Sequence, residues 1–364
     1  MERAFVGRSV DELDTPVLIV DLDALEQNIT GIAAAVAERG TSWRPHVKVH
    51  KTPAIAHLQL AAGAIGVACA KLGEAEVLVD AGIRDIMIAN QIVGPIKTRR
   101  LAALCRHADV IVAVDHPRNV AELDTVARDH GVRPRVVIEV DIGMGRCGVG
   151  PGQETVDLAR IVADCEGLRF AGLMAWEGQA MSVADNESRP QVITDAVGEL
   201  VATAESCREA GLPVEIVSCS GTGTYLVAAA IPGVTEVQAG GGIFGDPVYR
   251  RMGVPLQPAL SLIAQVISRP TPTRVVFDFG RKQIDPSMAA PVPVGLVATD
   301  AMALHIEHCI LELAGPAETP ELGERVRFEV GFGDRAIHLH EHLYGVRDSI
   351  VETVWPVTAR GRHQ

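Results

Sequence analysis

The chain has 364 residues, 48% of them hydrophobic and 22% charged, with a formal net charge of −13. That length exceeds one small domain, the apolar fraction supports a sizeable core, and the acidic balance argues against nucleic acid or an anionic membrane as partners. No apolar run reaches the ~18 residues of a membrane span, and residues 1–16 carry acids where a secretory leader has its apolar stretch, so a soluble, cytoplasmic protein is expected. The seven cysteines lack Cys-x-x-Cys spacing and fit reduced thiols better than a disulfide framework or a zinc knuckle.

Residues 15–21 (TPVLIVD) read as a strand ahead of the first helix. They have no place in the pattern that follows and are assigned to a C-terminal sheet. Apolar, β-rich runs then recur at residues 46–49, 66–72, 85–90, 109–115, 135–142, 169–176, 214–218 and 235–239. Between them, stretches such as 53–62, 72–81, 96–107, 118–130, 153–165 and 195–210 carry apolar residues at helical spacing. Eight such units predict an α/β fold, a TIM-like (β/α)8 barrel over residues 25–250, since a doubly wound sheet usually has fewer strands. After Asp246 come short strands at 265–268, 274–278, 325–330, 336–344 and 350–356, punctuated by prolines and without a long helical pattern. Residues 251–364, with 1–24, are therefore expected to form a mainly β C-terminal domain.

The segment 44–53, RPHVKVHKTP, places two lysines and two histidines in what reads as a buried strand, with Val47 and Val49 alternating around Lys48. A buried ammonium is costly unless it is paired or used covalently. Lys48 is thus a candidate for Schiff-base chemistry, where burial and cationic neighbours free the amine to attack an aldehyde. The alternative is a strand-end lysine that snorkels to water. Lys51, three residues on and so on the other face of a strand, is the rival amine.

Catalytic groups of such barrels sit at the C-terminal ends of the strands. Lys48 ends the first, Arg146 follows the fifth in EVDIGMGRCGVG, Trp176 and Glu177 follow the sixth in GLMAWEGQA, and SCSGTGTY (218–225) follows the seventh. In the last, the N–H groups of Gly221 to Thr224, the hydroxyls of Thr222 and Thr224 and the dipole of the helix they open would hold a phosphate dianion. A second glycine cluster, QAGGGIFGD (238–246), follows the eighth strand and allows close backbone approach to a ligand. Either glycine loop alone could be only a turn. Their order relative to Lys48 and Arg146 describes a pyridoxal-phosphate site.

In these motifs the sequence resembles the fold-type III pyridoxal-phosphate enzymes, and among them the D-threonine aldolase and D-serine dehydratase family. The resemblance runs from TPVLIVDLDALEQNI through RPHVKVHKTP, GMGRCGV, SGTGTY and GGGIFGD to the tail LYGVRD and VWPVTARGR. It implies an alanine-racemase-like barrel with a β domain, Lys48 as the lysine that carries pyridoxal 5'-phosphate, Arg146 beside the cofactor ring, and Thr222, Gly223, Thr224, Gly241 and Gly242 at its phosphate. Gln238 matches a position facing the pyridine nitrogen, where a neutral partner would leave that nitrogen less protonated. Trp176 belongs to the same cofactor set. The relatives are commonly dimers, so a homodimer is expected.

One departure concerns the divalent metal that the family usually holds through a histidine and, two residues on, an aspartate or cysteine. The matching segment here is VGFGD (330–334), with Phe332 at the histidine position. Asp334 remains, and a lone carboxylate is a poor site for a divalent cation. In AIHLHEHLYG (336–345), alternation would put His338, His340 and His342 on one face of a strand. They could bind a metal with Asp334, supply an acid and a base, or simply be solvated.

The resulting expectation is a pyridoxal-phosphate lyase that cleaves D-β-hydroxy-α-amino acids by retro-aldol reaction, with His340 or His338 as base. A D-serine dehydratase-like ammonia-lyase is the alternative. It must expel hydroxide, for which the family's metal serves as Lewis acid, so loss of the metal histidine weakens dehydration more than aldol cleavage. A racemase or epimerase needs no metal but needs a second acid/base on the opposite ring face. A cofactor-homeostasis protein would be a single barrel, which the C-terminal domain argues against.

Overall fold

The computed structural model describes residues 2–317 and 319–364. It contains two compact units, one of Thr30–Lys48, Pro53–Gly240 and Gly361–Gln364, the other of Met1–Ile29, Val49–Thr52 and Gly241–Arg360. In chain order the strands are β1 (Val17–Asp21), β2 (Ser42–Trp43), β3 (Val67–Cys69), β4 (Asp85–Gln91), β5 (Asp109–Val114), β6 (Arg135–Glu139), β7 (Arg169–Met174), β8 (Ile216–Cys219), β9 (Glu236–Val237), β10 (Leu260–Ser268), β11 (Arg274–Phe277), β12 (Val292–Pro293), β13 (Ala298–Leu304), β14 (Cys309–Leu313), β15 (Arg325–Glu329), β16 (His342–Arg347) and β17 (Ile350–Pro356). None of the described helices is long and apolar enough to cross a membrane, and all seven cysteines are free.

The first unit is the expected barrel. Its eight strands run in the order β2-β9-β8-β7-β6-β5-β4-β3, and every pair is parallel. The ring closes through a parallel bridge between His46 and Ala68, where Val47 N–H donates to the Ala68 carbonyl at 2.8 Å and Ala68 N–H to the Pro45 carbonyl at 2.9 Å. Strands buried on both faces must be apolar along their buried length, as VIVAV of β5 and FAGLM of β7 are after a charged first residue. The interior is filled by Ala68, Met87, Ile111, Ala113, Val137, Ala171, Met174 and Ile216, a mix of large and small side chains. Gly172 lies at φ +147°, and a Cβ there would come within 1.9 Å of the Ile216 carbonyl oxygen, so only glycine lets β7 approach β8 this closely.

At the lower ends of the strands a charge network replaces apolar packing. Arg44 is 2% exposed and donates Nε to Glu236 at 2.9 Å, while its Nη1 pairs with Asp85. Arg135 then joins Asp85 at 3.0 Å to Asp109 at 2.8 Å. Opposing attraction from Glu236 and Asp85 outweighs the burial that would otherwise lower the guanidinium pKa.

The second unit confirms the assignment of residues 15–21. β1 pairs antiparallel with β10 and parallel with β16, in the middle of the sheet β13-β14-β11-β10-β1-β16-β17. Alternating burial in CILEL of β14 and RVRFE of β15 puts one face inward. The rings of Phe277 and Phe279 meet Phe328 edge-on at 4.9 and 4.8 Å. Val10, Leu13, Val17, Ile19, Ile263, Val346 and Val351 form a second cluster.

Two expectations fail locally. The strand expected at 46–49 is a turn over 47–50, and the extended segment ends before it at Trp43. Val47 and Val49 are each 1% exposed, so the alternation was right about burial, but Lys48 between them is exposed rather than an interior ammonium. The strand expected at 336–344 instead starts at His342, because two 3-10 turns, Gly333–Arg335 and Ile337–Leu339, occupy its first half. His338, His340 and His342 therefore do not share a strand face.

Candidate active site

The barrel unit collects Lys48, Arg146, Trp176, Thr222, Gly223, Thr224 and Gln238 at the ends of their strands. Trp176, two residues past β7, links two of them. Lys48 Nζ and Arg146 Cζ each lie 5.4 Å from the centroid of its ring, within cation–π range.

Arg146 is brought back over the strand ends by a tightly bonded loop. Asp141 accepts from Gly143 N–H at 3.1 Å and Gly145 N–H at 3.0 Å, while Val149 N–H donates to the Glu139 carbonyl at 3.0 Å. The guanidinium then reaches Glu139 at 3.3 Å. Glu139 is buried at the last position of β6 and also accepts Gln91 Nε2 at 2.6 Å. Sequence reasoning missed Glu139 and Gln91; the available signal was one acid ending an otherwise apolar strand, RVVIE.

On the other side, Gln238 donates Nε2 to Ser218 Oγ at 3.0 Å and lies against Met87 Sδ at 3.6 Å, with its backbone N–H on the Cys219 carbonyl at 3.0 Å. The segment 219–225 then turns sharply. Ser220 has φ +77°, a left-handed conformation that costs a non-glycine residue roughly 1–2 kcal/mol. Its N–H donates to Glu177 Oε2 at 3.2 Å, and its hydroxyl donates to the Gly221 carbonyl at 3.1 Å.

Inside this loop Thr224 is a strut. Its Oγ1 accepts Gly221 N–H at 3.1 Å, and the N–H groups of Thr224 and Tyr225 both donate to the Gly221 carbonyl. Of the donors expected for a phosphate, those of Gly221 and Thr224 already serve the turn. The helix that follows, Tyr225–Ala228, has four residues, too short for the macrodipole expected from the sequence to contribute much. A Cβ on Gly221 would lie 3.2 Å from Trp176 Nε1, so the loop runs against the indole edge.

The remaining expected residues belong to the β unit. Gly241 and Gly242 open a buried 3-10 turn, Gly241–Phe244. Phe332 packs on Tyr249, ring centroids 6.0 Å apart. His338 Nδ1 is 3.2 Å from the Asp334 carbonyl, and His340 Nε2 is 2.9 Å from the Gln283 carbonyl. Burial lowers the His340 pKa, with His338 and Arg360 acting in the same direction against the hydrogen bond to Gln283. A carbonyl partner assigns the proton to Nε2 and leaves Nδ1 as the basic nitrogen. Asp246, also missed, accepts Gly333 N–H at 3.0 Å, and burial, then Asp334 and Glu329, push its carboxyl well up. Among the described residues no three His, Cys, Asp or Glu side chains cluster as metal ligands.

The alanine racemase N-terminal domain family matches residues 20–247, and a putative serine dehydratase domain matches residues 259–346. A D-threonine aldolase of Arthrobacter sp. is 35% identical over 98% of this chain and 95% of its own length. The chain belongs to the D-threonine aldolase family. Within that family a 3-hydroxy-D-aspartate aldolase of Paracoccus denitrificans is 32% identical over 99% of this chain and 95% of its own. The crystal structure of D-threonine aldolase from Filomicrobium marinum superposes with a TM-score of 0.95, at 36% identity, covering 99% of this family member and 98% of that chain.

Proposed function

We propose that the chain is a pyridoxal-phosphate-dependent lyase that cleaves D-β-hydroxy-α-amino acids to glycine, or a substituted glycine, and an aldehyde. The observation that carries this reading is the convergence of Lys48 and Arg146 on the Trp176 ring beside the 220–224 loop, in a chain aligned almost end to end with D-threonine aldolase. The site's chemistry fits the cofactor. It offers a primary amine for an aldehyde, an aromatic face, a cation, and a loop at whose edge the buried Trp176 Nε1 has no hydrogen-bond partner among the described residues.

Bound there, pyridoxal phosphate would supply an electron sink for the carbanion left when the Cα–Cβ bond breaks. Lys48 would hold the cofactor's carbonyl carbon and yield that place to the substrate amine. Arg146, kept in line by Glu139 and in turn by Gln91, would fix the ring edge. Gln238, already donating to Ser218, brings no negative charge to the pyridine nitrogen. A base must take the β-hydroxyl proton, and His340 has the electronic character for it, being neutral with Nδ1 unprotonated. Thr222 would hold the phosphate. Thr222→Val should weaken pyridoxal phosphate binding about tenfold or more, the loss of one charge-assisted hydrogen bond of ~1.5–3 kcal/mol, and equilibrium titration of the apoprotein would show it.

The dehydratase reading keeps support from the serine dehydratase domain match over residues 259–346. Phe332 weighs against it, because phenylalanine cannot ligate the Lewis acid that hydroxide loss calls for. The deciding experiment incubates the holoenzyme with D- and L-β-hydroxy-amino acids, with and without EDTA. Aldehyde plus glycine from the D series, surviving EDTA, is expected; 2-oxo acid or inverted amino acid would transfer the assignment to dehydratase or racemase. Phe332→His, beside Asp334, should in turn add divalent-metal binding measurable by calorimetry. The enzyme is further proposed to be a cytoplasmic homodimer, which sedimentation and fractionation would test.

A further inference from the structure

Glu177 has no part in the reading above, yet it is fully buried directly beneath the loop assigned to the phosphate. Its Oε2 accepts the N–H of Ser220, the one residue of the loop in the left-handed region. Its Oε1 is buried without a hydrogen-bond partner among the described residues, and so is the neighbouring Trp176 Nε1 at the loop's edge. Short-range bonds within the segment from Ser220 to Thr224 also brace it.

We propose that Glu177 is a positioning residue that holds the 220–224 loop in its phosphate-accepting shape. The proposal rests on the pyridoxal-phosphate reading and names what fixes that site's anion cradle. Without the Glu177 acceptor, the Ser220 N–H would be a buried orphan donor, and a serine at φ +77° would relax toward negative φ, carrying Gly221 and Thr222 with it. Burial disfavours the charged form of the Glu177 carboxyl. Desolvation pushes its pKa up, opposed only by hydrogen bonds from Thr224, its own backbone and Ser220, with no cation among the groups acting on it. Burial, the largest influence on it, holds the titratable neighbour Cys219 as the thiol. An ionised carboxylate in this place would add repulsion against a phosphate dianion.

The test compares two ligands on the apoprotein, pyridoxal phosphate and pyridoxal, which lacks the phosphate. Glu177→Leu preserves bulk and removes the acceptor. Its affinity for pyridoxal phosphate should fall about tenfold or more while that for pyridoxal stays within about twofold, a split that general damage would not produce. Glu177→Gln keeps a neutral acceptor for Ser220 and should bind pyridoxal phosphate within about threefold of wild type, with an unchanged 31P resonance. Equal loss of both ligands in Glu177→Leu, or no loss, overturns the positioning role. A tenfold change in Glu177→Gln in either direction, with the acceptor for Ser220 intact, overturns the positioning role, and this variant decides alone if the leucine protein does not fold. Wild-type protein that binds neither ligand would remove the cofactor reading itself and this proposal with it.

Discussion

Lys48→Ala is expected to abolish the visible absorbance of the purified holoenzyme and to lower kcat by at least ~10³-fold, the scale on which loss of a covalent catalytic group is felt. Among the cations of the barrel unit, Lys48 and Arg146 are the two that stack on Trp176, and only the lysine can condense with an aldehyde. Lys51 is set apart by its backbone: it lies at φ +52°, its carbonyl accepts Ala359 N–H at 2.9 Å, and it belongs to the β unit. Borohydride reduction followed by peptide mapping should mark Lys48. A label on Lys51, or an absorbance band that survives in Lys48→Ala, would unseat the assignment.

Arg44→Met should destabilise the fold by ~3–5 kcal/mol, the cost of leaving a buried charge without its partner. Glu236 is the source of that cost, being 4% exposed and bonded to Arg44 at 2.9 Å. Asp85 contributes less, since it is 35% exposed and keeps Arg135 at 3.0 Å. The double variant with Glu236→Gln should therefore recover much of the loss, because it replaces the stranded carboxylate by a neutral amide. Urea midpoints of the two single variants and the double variant measure this. A strictly additive cycle would show that Arg44 acts through packing alone.

The barrel was legible because its signal is local and repeated: each strand is a continuous apolar run and each helix a periodic one, so a small error in one unit leaves the count intact. The strand at 15–21 was legible for the opposite reason, since it fitted nowhere in that repeat. The histidine strand failed because alternation in AIHLHEH satisfies a strand template while the preceding Gly331 and Gly333 permit turns that the template cannot register. At the site, the residues proposed to touch the ligand are readable as motifs, whereas the side chains bonded to them are not. Glu139 finds Gln91 across 48 residues, and Glu177 finds Ser220 across 43. Partnerships of that span are made by the fold and leave no mark in a window of sequence.

The central place of β1 in its sheet has a bearing on how the chain is made. Its partners, β10 and β16, begin at Leu260 and His342. A ribosome adding ~5–20 residues per second releases β1 on the order of ten seconds or more before either partner exists. During that interval VLIVD is an unpaired apolar edge, the kind of segment that chaperones cover and that aggregates when they do not. A shortened product lacking residues 1–21 would likewise not fray at a border but lose the strand between two others. Yield on expression should accordingly depend more on the integrity of the amino terminus than its distance from the chemistry would suggest.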